Sequence, residues 1–321
     1  MPALGSSDTM NRSPRSNPSK RRSSPRSNHH QNNTENNSTT ILFDQGWRRL
    51  ENELLKPLAE AIKVSRGNHA AIKRLFRSPQ FTSLYTHIYT MCTQKAPHNW
   101  SGKLYFEYRR HLKEHLKKNV LPVIQQISTR GDYTNANNEH DSVQLLTVMD
   151  QLWKNHCLYV KWSCKFFHYL DRFYVCRLAV DDLKTVTLKC FKEEVYDQIQ
   201  SEVTAAYVNL VSHERSAIKS SVAHDNMLER VTTMYLELGR GTTRVYEKDL
   251  EKILLSAARE DTKRDAFQWV NKDTTVMYLT KAEERLSDER YRATAFLHSS
   301  SDVKLQKVCE EELLGSTQIQ T

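Results

Sequence analysis

One short segment of the sequence combines residue types and a spacing that could support catalysis. His111, Glu114 and His115 follow the pattern His-x-x-Glu-His, in which two histidines four residues apart lie on one face of a helix. Such a pair can hold a zinc ion, and the glutamate can act as a general base toward bound water. Lys113 and Lys117 lie in the same turns, however, and their charges disfavour a dication. A zinc peptidase therefore stays open as an alternative to surface histidines on an amphipathic helix.

The rest of the sequence offers no other catalytic pattern. The glycines lie too far apart for a phosphate-binding loop, and there is no Gly-x-Ser-x-Gly segment. The serines at 299–301 follow His298, but serines there are typical of a helix N-cap rather than of a nucleophile with its base. We therefore predict no catalytic residues and no cofactor. The cysteines form no Cys-x-x-Cys pair and are expected to be reduced thiols within helices: Cys92, Cys157, Cys164, Cys176, Cys190 and Cys309.

The distribution of glycine and proline indicates the fold class. The 321 residues include only eight of each, and four of the prolines lie in the first 25 residues. No proline follows Pro122, which leaves about 200 residues without one. Hairpins require residues that adopt positive φ or preset it, whereas long helices exclude both types from their interiors. The sequence therefore predicts an all-α protein.

The net charge of +9 is unevenly distributed. Residues 1–40 contribute six basic and two acidic side chains and are otherwise rich in serine, asparagine and proline. A segment with so little to bury is expected to be a disordered basic arm. Such an arm alone gives sequence-independent affinity for nucleic acid, and no nucleic-acid-binding motif accompanies it, so nucleic acid is not expected as the main partner. No apolar run is long enough to span a membrane.

Apolar residues spaced three and four positions apart predict ten amphipathic helices from residue 41 onward. A bend is expected at Pro57, a surface loop at residues 131–140, and helix ends at Gly239 and Gly315. Short loops between so many helices are typical of a stacked helical array. The predicted helices fall at residues 43–62, 79–92, 104–124, 143–153, 160–174, 188–210, 227–238, 246–254, 281–297 and 303–314.

The helix at residues 81–92 has an unusually wide apolar face. Its apolar positions span about 160°, whereas packing against one layer requires a stripe of about 100°. One interpretation is that the edge with Phe81, Tyr85 and Tyr89 contacts a partner, since aromatic residues dominate interface hot spots. The other is a helix buried on two sides by its own array. Periodicity alone favours neither.

Five segments of the sequence resemble the cullin family, in particular the plant members that form SCF-class ubiquitin ligases. They occur in the family's order from about residue 41 to residue 314 and so cover nearly all of the predicted helical region. Together they are specific, although each alone would be weak. The segments are Leu84–Tyr89, Phe166–Phe173, Tyr235–Gly239, Tyr278–Glu283 and Arg290–Ser301.

The resemblance implies an elongated stalk of stacked cullin repeats, each of about five helices. The first repeat would comprise residues 41–180 and the second residues 181–298, while residues 299–321 would begin a third repeat and end in a polar tail. Cullins are scaffolds without an enzymatic step of their own. The resemblance also implies residence in the cytoplasm and the nucleus.

The resemblance further implies a partner, a Skp-type adaptor of the BTB/POZ fold that carries F-box substrate receptors for ubiquitin-dependent degradation. A RING-box subunit is not expected, because the sequence ends before the region that recruits it and that carries the modified lysine. The chain is therefore expected to hold only the substrate side; whether it promotes ubiquitination or sequesters the adaptor from complete cullins stays open, with sequestration slightly favoured. A helical scaffold with unrelated partners stays open as a further alternative. The adaptor-binding residues implied by position are Phe81, Thr82, Tyr85, Ile88 and Tyr89 of the second helix and Lys161 and Tyr169 of the fifth.

Overall fold

The computed structural model describes residues 40–65, 67–131, 133, 138–216 and 222–317. The predicted basic arm lies outside these ranges apart from Thr40, and so do several positions of the predicted loop at 131–140. The described residues form one compact unit. The described residues contain helices and no strand, which confirms the predicted all-α fold.

The first eight helices lie before residue 180. Three helical stretches there are continued by π-helical turns at Glu51–Leu55, Leu116–Val120 and Leu170–Val175. Pro57 and Pro122 lie just after the first two turns, and because proline has no N–H to donate, the helix widens locally. The bend predicted at Pro57 is thus a π turn. The helices are α1 Phe43–Leu50, α2 Lys56–Val64, α3 His69–Leu75, α4 Ser78–Thr93, α5 Ser101–His115, α6 Leu121–Ser128, α7 Glu139–Phe166 and α8 Cys176–Leu178.

Seven further helices follow. Asp182 caps the first of them, since its side chain accepts a hydrogen bond from the Thr185 backbone N–H at 2.6 Å. Two π turns, Lys192–Tyr196 and Glu247–Glu251, and a 3₁₀ turn, Ser299–Ser301, connect some of them. The helices are α9 Leu183–Phe191, α10 Asp197–Ser216, α11 Val222–Leu238, α12 Arg244–Tyr246, α13 Lys252–Lys272, α14 Thr275–Phe296 and α15 Asp302–Thr317.

Several details of the predicted helices were wrong. The helix predicted to end at residue 254 continues as α13 to Lys272, and the next helix begins at Thr275 rather than at 281. The stretches 143–153 and 160–174 were predicted as two helices, but α7 runs unbroken to Phe166 because its buried stripe continues without a gap. The short helix α3 was not predicted. Gly315 does not end α15, which continues to Thr317, because a glycine weakens a helix without having to stop it. The predicted end at Gly239 is confirmed, although the residues with positive φ are Arg240 and Gly241.

A hydrogen bond between a tyrosine hydroxyl and a serine hydroxyl occurs twice in the core. The Tyr108 hydroxyl lies 2.7 Å from the Ser163 hydroxyl, and the Tyr246 hydroxyl lies 2.7 Å from that of Ser301. Both tyrosines are fully buried, and 55 residues separate the partners in each pair. The recurrence supports the predicted division into two repeats near residue 180, which stays a prediction.

A buried ionic cluster joins α10, α13 and α14. Glu289 has no exposed surface, and its Oε1 lies 2.9 Å from Arg215 Nε and 2.9 Å from Arg292 Nη1. Arg285 Nε lies 3.5 Å from the same oxygen, and Arg215 Nη1 lies 3.1 Å from Asp261 Oδ2. Burial alone would raise the pKa of Glu289, but the three guanidinium charges outweigh it and lower that pKa. The carboxylate is therefore held ionised inside the array.

Candidate functional site

An aromatic row runs along one surface formed by α4 and the segment 161–173. Phe81 and Tyr85 stack with their ring centroids 6.3 Å apart, and Tyr89 lies one turn further along the same helix. Tyr89 meets Tyr169 edge to face at 5.2 Å, and Tyr169 contacts Phe173 at 4.6 Å. The row therefore crosses from one helix to another, and we call these five residues the aromatic row.

The aromatic row is exposed where it is furthest from the core. Tyr89 retains 46% of its surface and Phe173 retains 51%, and because both rings contact Tyr169 they belong to one contiguous apolar patch. Phe81 anchors the other end, with its ring 4.6 Å from that of buried Phe166. Burial raises the pKa of Tyr169, which lies between its aromatic neighbours. The aromatic row is thus held against the core at Phe81 and exposed to solvent at Tyr89 and Phe173.

A surface depression of about 530 Å³ lies beside the aromatic row. Lys161 and Lys165 line it, and neither ammonium group is paired with a carboxylate among the described residues. Lys165 Nζ instead lies 4.7 Å from the ring centroid of Trp162. The surface therefore combines exposed aromatic rings with two lysines that form no ion pair within the described ranges, although the acidic residue Asp171 also lines the depression.

The structure places six of the seven predicted contact residues on this surface and corrects the seventh. Thr82 and Lys161 are exposed, and Phe81, Tyr85, Tyr89 and Tyr169 belong to the aromatic row. Ile88 has no exposed surface, because the array covers it together with Leu84 and Met91 in the core. It supports the helix from inside and is excluded from the contact residues. Phe173 and Lys165 were not predicted, although Phe173 ends the segment whose resemblance was noted.

Polar side-chain contacts hold helix α4 against α1. His87 is buried and donates from Nε2 to the Gly46 carbonyl oxygen at 3.2 Å, which leaves Nδ1 to accept from Arg49 at 3.4 Å. A Cβ atom on Gly46 would lie 2.5 Å from Met91 Cε, so a glycine allows the two helices to cross closely. The position of the aromatic row is therefore set by specific contacts behind it.

The three residues of the His-x-x-Glu-His pattern do not converge on one point. Glu114 is paired with Arg110 and, at 3.3 Å, with Lys118. His111 Nδ1 lies 3.8 Å from Glu51 Oε1, while the His115 ring stacks on Tyr159 at 5.9 Å. Among the residues that the structure describes, no group of three His, Cys, Asp or Glu side chains could hold a metal ion. The geometry therefore does not favour the zinc-peptidase alternative.

A sequence profile described as the cullin alpha solenoid domain matches residues 62–320. The chain belongs to the cullin family. Cullins are non-catalytic scaffolds of ubiquitin ligases, and the all-helical array agrees with that class. None of the described helices is long and apolar enough to cross a membrane.

Several cullins and cullin-like proteins are similar to this chain over most of its length. Cullin-1 of Oryza sativa subsp. japonica is 33% identical over 275 residues, which cover 86% of this chain and 34% of that protein. Cullin-2 of Arabidopsis thaliana is 32% identical over 239 residues, covering 74% and 30% respectively. The chain thus spans about a third of the length of these two cullins. Cullin-like protein 3 of Arabidopsis thaliana is 25% identical over 270 residues, which cover 84% of this chain and 95% of that protein.

Two histidines of this cullin, the buried His156 and the half-buried His115, predict a loss of stability in acid. Burial lowers the pKa of His115 to about 4 and that of His156 to about 3, whereas unfolded histidine titrates near 6.5. Between about pH 6.5 and pH 4 the unfolded chain binds more protons than the folded chain, so stability falls as pH falls, by up to about 1.4 kcal/mol per pH unit for each histidine. Urea unfolding at several pH values measures this slope.

The variant His156→Gln removes the contribution of His156 to this pH dependence and leaves that of His115. Glutamine does not titrate and can still donate to the Thr187 carbonyl, which His156 Nε2 contacts at 3.2 Å. We expect the slope between pH 6 and pH 4 to decrease by about 1.4 kcal/mol per unit in this variant. An unchanged slope would show that His156 is not a neutral buried group.

Proposed function

We propose that this cullin binds a Skp-type adaptor of the BTB/POZ fold, and through it F-box substrate receptors, in SCF-type ubiquitin-dependent degradation. The binding surface is the aromatic row together with Thr82 and the two unpaired lysines, Lys161 and Lys165. The observation that carries the proposal is the exposure of Tyr89 and Phe173 on a row whose other end, Phe81, packs against the buried ring of Phe166.

The physical properties of the surface fit a protein partner. Aromatic side chains bury a large area at little entropic cost, and they dominate hot spots when a partner excludes water from them. The hydroxyls of Tyr85, Tyr89 and Tyr169 form no hydrogen bond within the described part of the chain, so they are free to bind a partner. Unpaired lysines beside the row favour a partner with an apolar contact face and an acidic rim.

Titration of the purified chain with a purified adaptor–F-box protein complex tests the proposal. We expect saturable one-to-one binding that weakens with added salt, because exposed lysines contribute to association through screened electrostatic attraction. The absence of a complex at micromolar concentrations would overturn the adaptor proposal and would leave a helical scaffold with other partners.

We further propose that these 321 residues compete with a complete cullin for the same adaptor. Two proteins that use the same aromatic surface cannot occupy one adaptor together, so addition of the chain to an assembled SCF ligase should slow substrate ubiquitination. Excess adaptor should restore the rate, since it relieves the competition without altering the catalytic subunits. An unaltered rate at saturating chain would contradict the shared surface. A stimulation that requires RING-box protein would contradict the expectation that no RING-box subunit binds.

We also propose that the protein resides in the cytoplasm and the nucleus. The segment Lys20–Arg26 is rich in basic residues and resembles a nuclear address. A fluorescent fusion should enter both compartments, and deletion of residues 20–26 should lower the nuclear fraction if this segment is the address.

A further inference from the structure

A half-enclosed cavity of about 790 Å³ lies on the side of α7 away from the aromatic row. Successive residues of an α-helix are rotated by about 100°, which places Leu152, His156 and Tyr159 on one face and Lys161 and Lys165 on the opposite one. The cavity is closed by α2, by the end of α5 and by the π turn that follows α5. Its volume lies within the range of about 300–1,000 Å³ that is typical of small-molecule sites. We call it the histidine cavity.

Three histidines line the histidine cavity, and the contacts of two of them assign their tautomers. His156 Nε2 lies 3.2 Å from the Thr187 carbonyl, which can only accept, so the proton is on Nε2 and Nδ1 carries a lone pair. Asn119 Nδ2 donates to His115 Nδ1 at 3.2 Å, so His115 carries its proton on Nε2. No atom of the described residues contacts either remaining ring nitrogen by a hydrogen bond. The cavity therefore offers one N–H donor and one nitrogen acceptor.

The remaining lining decides the charge and shape of a ligand. Three glutamates and three lysines lie around the cavity, and two pairs are in contact, Lys56 with Glu51 at 3.5 Å and Lys118 with Glu114 at 3.3 Å. These opposite charges balance. Burial keeps His115 and His156 uncharged at neutral pH by lowering the pKa of each. A ligand with a net charge would therefore find no counter-charge inside.

Tyr159 adds a further unsatisfied group to the cavity wall. It is 4% exposed, and its hydroxyl has no hydrogen-bond partner among the described residues. Its ring lies nearly parallel to that of His115, with an interplanar angle of 9° and a centroid separation of 5.9 Å. A buried hydroxyl is rarely left unpaired in native proteins, and this one lies near two ring nitrogens that form no hydrogen bond among the described residues, so the cavity is a candidate binding site. The flat stacked rings favour a planar ligand.

We propose that the histidine cavity binds a small, planar, uncharged molecule that carries an N–H donor and a carbonyl acceptor, as aromatic lactams and carboxamides do. The N–H would donate to His156 Nδ1, and the carbonyl would accept from His115 Nε2. The apolar remainder of the molecule would pack against side chains such as Leu55, Leu116 and Leu152. This site is separate from the proposed adaptor surface and does not depend on it.

The probe for this proposal is quinolin-2(1H)-one, a neutral aromatic lactam, titrated into the full chain labelled with ¹⁵N-histidine. We expect saturable shifts of the imidazole nitrogens of His115 and His156, with a dissociation constant on the order of 1 mM for a ligand of this size. The matched probe 1-methylquinolin-2(1H)-one lacks the N–H and should bind about tenfold more weakly. No saturable shift up to about 10 mM of the lactam would overturn the proposal.

Two variants distinguish binding of the lactam in the cavity from non-specific binding elsewhere on the chain. Ala59 forms part of the cavity wall, so Ala59→Phe places a ring inside the cavity. This variant should abolish the imidazole shifts, while its circular dichroism spectrum and its adaptor binding stay unchanged. His115→Phe keeps a ring beside Tyr159 but removes the donor, and should weaken the lactam about tenfold. If Ala59→Phe does not fold, His115→Phe and the methylated probe decide the question. Equal affinity of the lactam for wild type and His115→Phe would contradict the assigned donor and the proposal.

Discussion

The variant Tyr89→Ala is expected to weaken adaptor binding about 30-fold, which corresponds to about 2 kcal/mol of an interface hot spot. The expectation rests on the position of this ring, which is 46% exposed yet held edge to face against Tyr169. A partner that covers it gains apolar burial without having to order the side chain first. The double variant Tyr85→Ala and Tyr89→Ala should lose at least about 100-fold. Titration calorimetry with the adaptor–F-box protein complex measures both values.

The matched control for these variants is Phe267→Ala. Phe267 is a large aromatic residue on α13 that is 68% exposed and lies outside the aromatic row. Its removal tests whether any exposed ring contributes to binding, and we expect no change in adaptor affinity. Wild-type affinity in Tyr89→Ala, or equal losses in Tyr89→Ala and Phe267→Ala, would contradict the assignment of the surface.

A second large effect is expected for Glu289→Gln in the buried ionic cluster. The substitution keeps the size of the side chain but removes the negative charge shared by Arg215, Arg285 and Arg292. Each of these arginines has a side chain no more than 7% exposed, so water cannot replace the lost charge. Breaking a buried ion pair on one side costs about 3–5 kcal/mol, and we expect a loss of that size in the free energy of unfolding. Urea denaturation at neutral pH measures it.

Glu311→Gln provides the surface comparison for the cluster. Glu311 pairs with Arg259 at 2.9 Å, but both side chains are more than 40% exposed. Exposed pairs contribute about 0–1 kcal/mol, so this variant should unfold close to wild type. A loss below about 1 kcal/mol for Glu289→Gln would show that the cluster is as weak as a surface pair.

Helical periodicity was sufficient for the fold class because the described part of the chain has little other regular structure. Periodicity could not place every helix boundary, because apolar residues at helical spacing can belong to one long helix or to two helices joined by a short loop. Helix α7 is the clearest example, as its apolar positions fit either one helix or two. The π turns before Pro57 and Pro122 were foreseeable only as bends, because periodicity does not distinguish how a helix accommodates a proline.

The candidate surface could be predicted in part, and the error at Ile88 shows why. Both edges of the apolar face of α4 look alike in sequence, but Leu84 and Ile88 are covered by the array whereas Tyr85 and Tyr89 are not. Which edge is covered depends on the neighbouring helices. The junction between Tyr89 and Tyr169 likewise depends on how two distant helices meet.

The histidine cavity likewise could not be predicted from the sequence. The pattern at His111, Glu114 and His115 is recognisable in the sequence because zinc chemistry requires such spacing. The partner that matters in the cavity is His156, which lies on a different helix and follows no local pattern. Only the packing of α5 against α7 brings these rings together.

Hydrogen exchange of the chain with and without the adaptor–F-box protein complex tests the central assignment most directly, because it locates the contact without any mutation. We expect exchange to slow by about tenfold or more at residues 78–93 and 161–173, where the adaptor would cover the aromatic row and suppress local opening. Exchange in α15 should not change. Protection of α15 with none at residues 78–93, or no protection at all under conditions of saturating adaptor, would contradict the proposed surface.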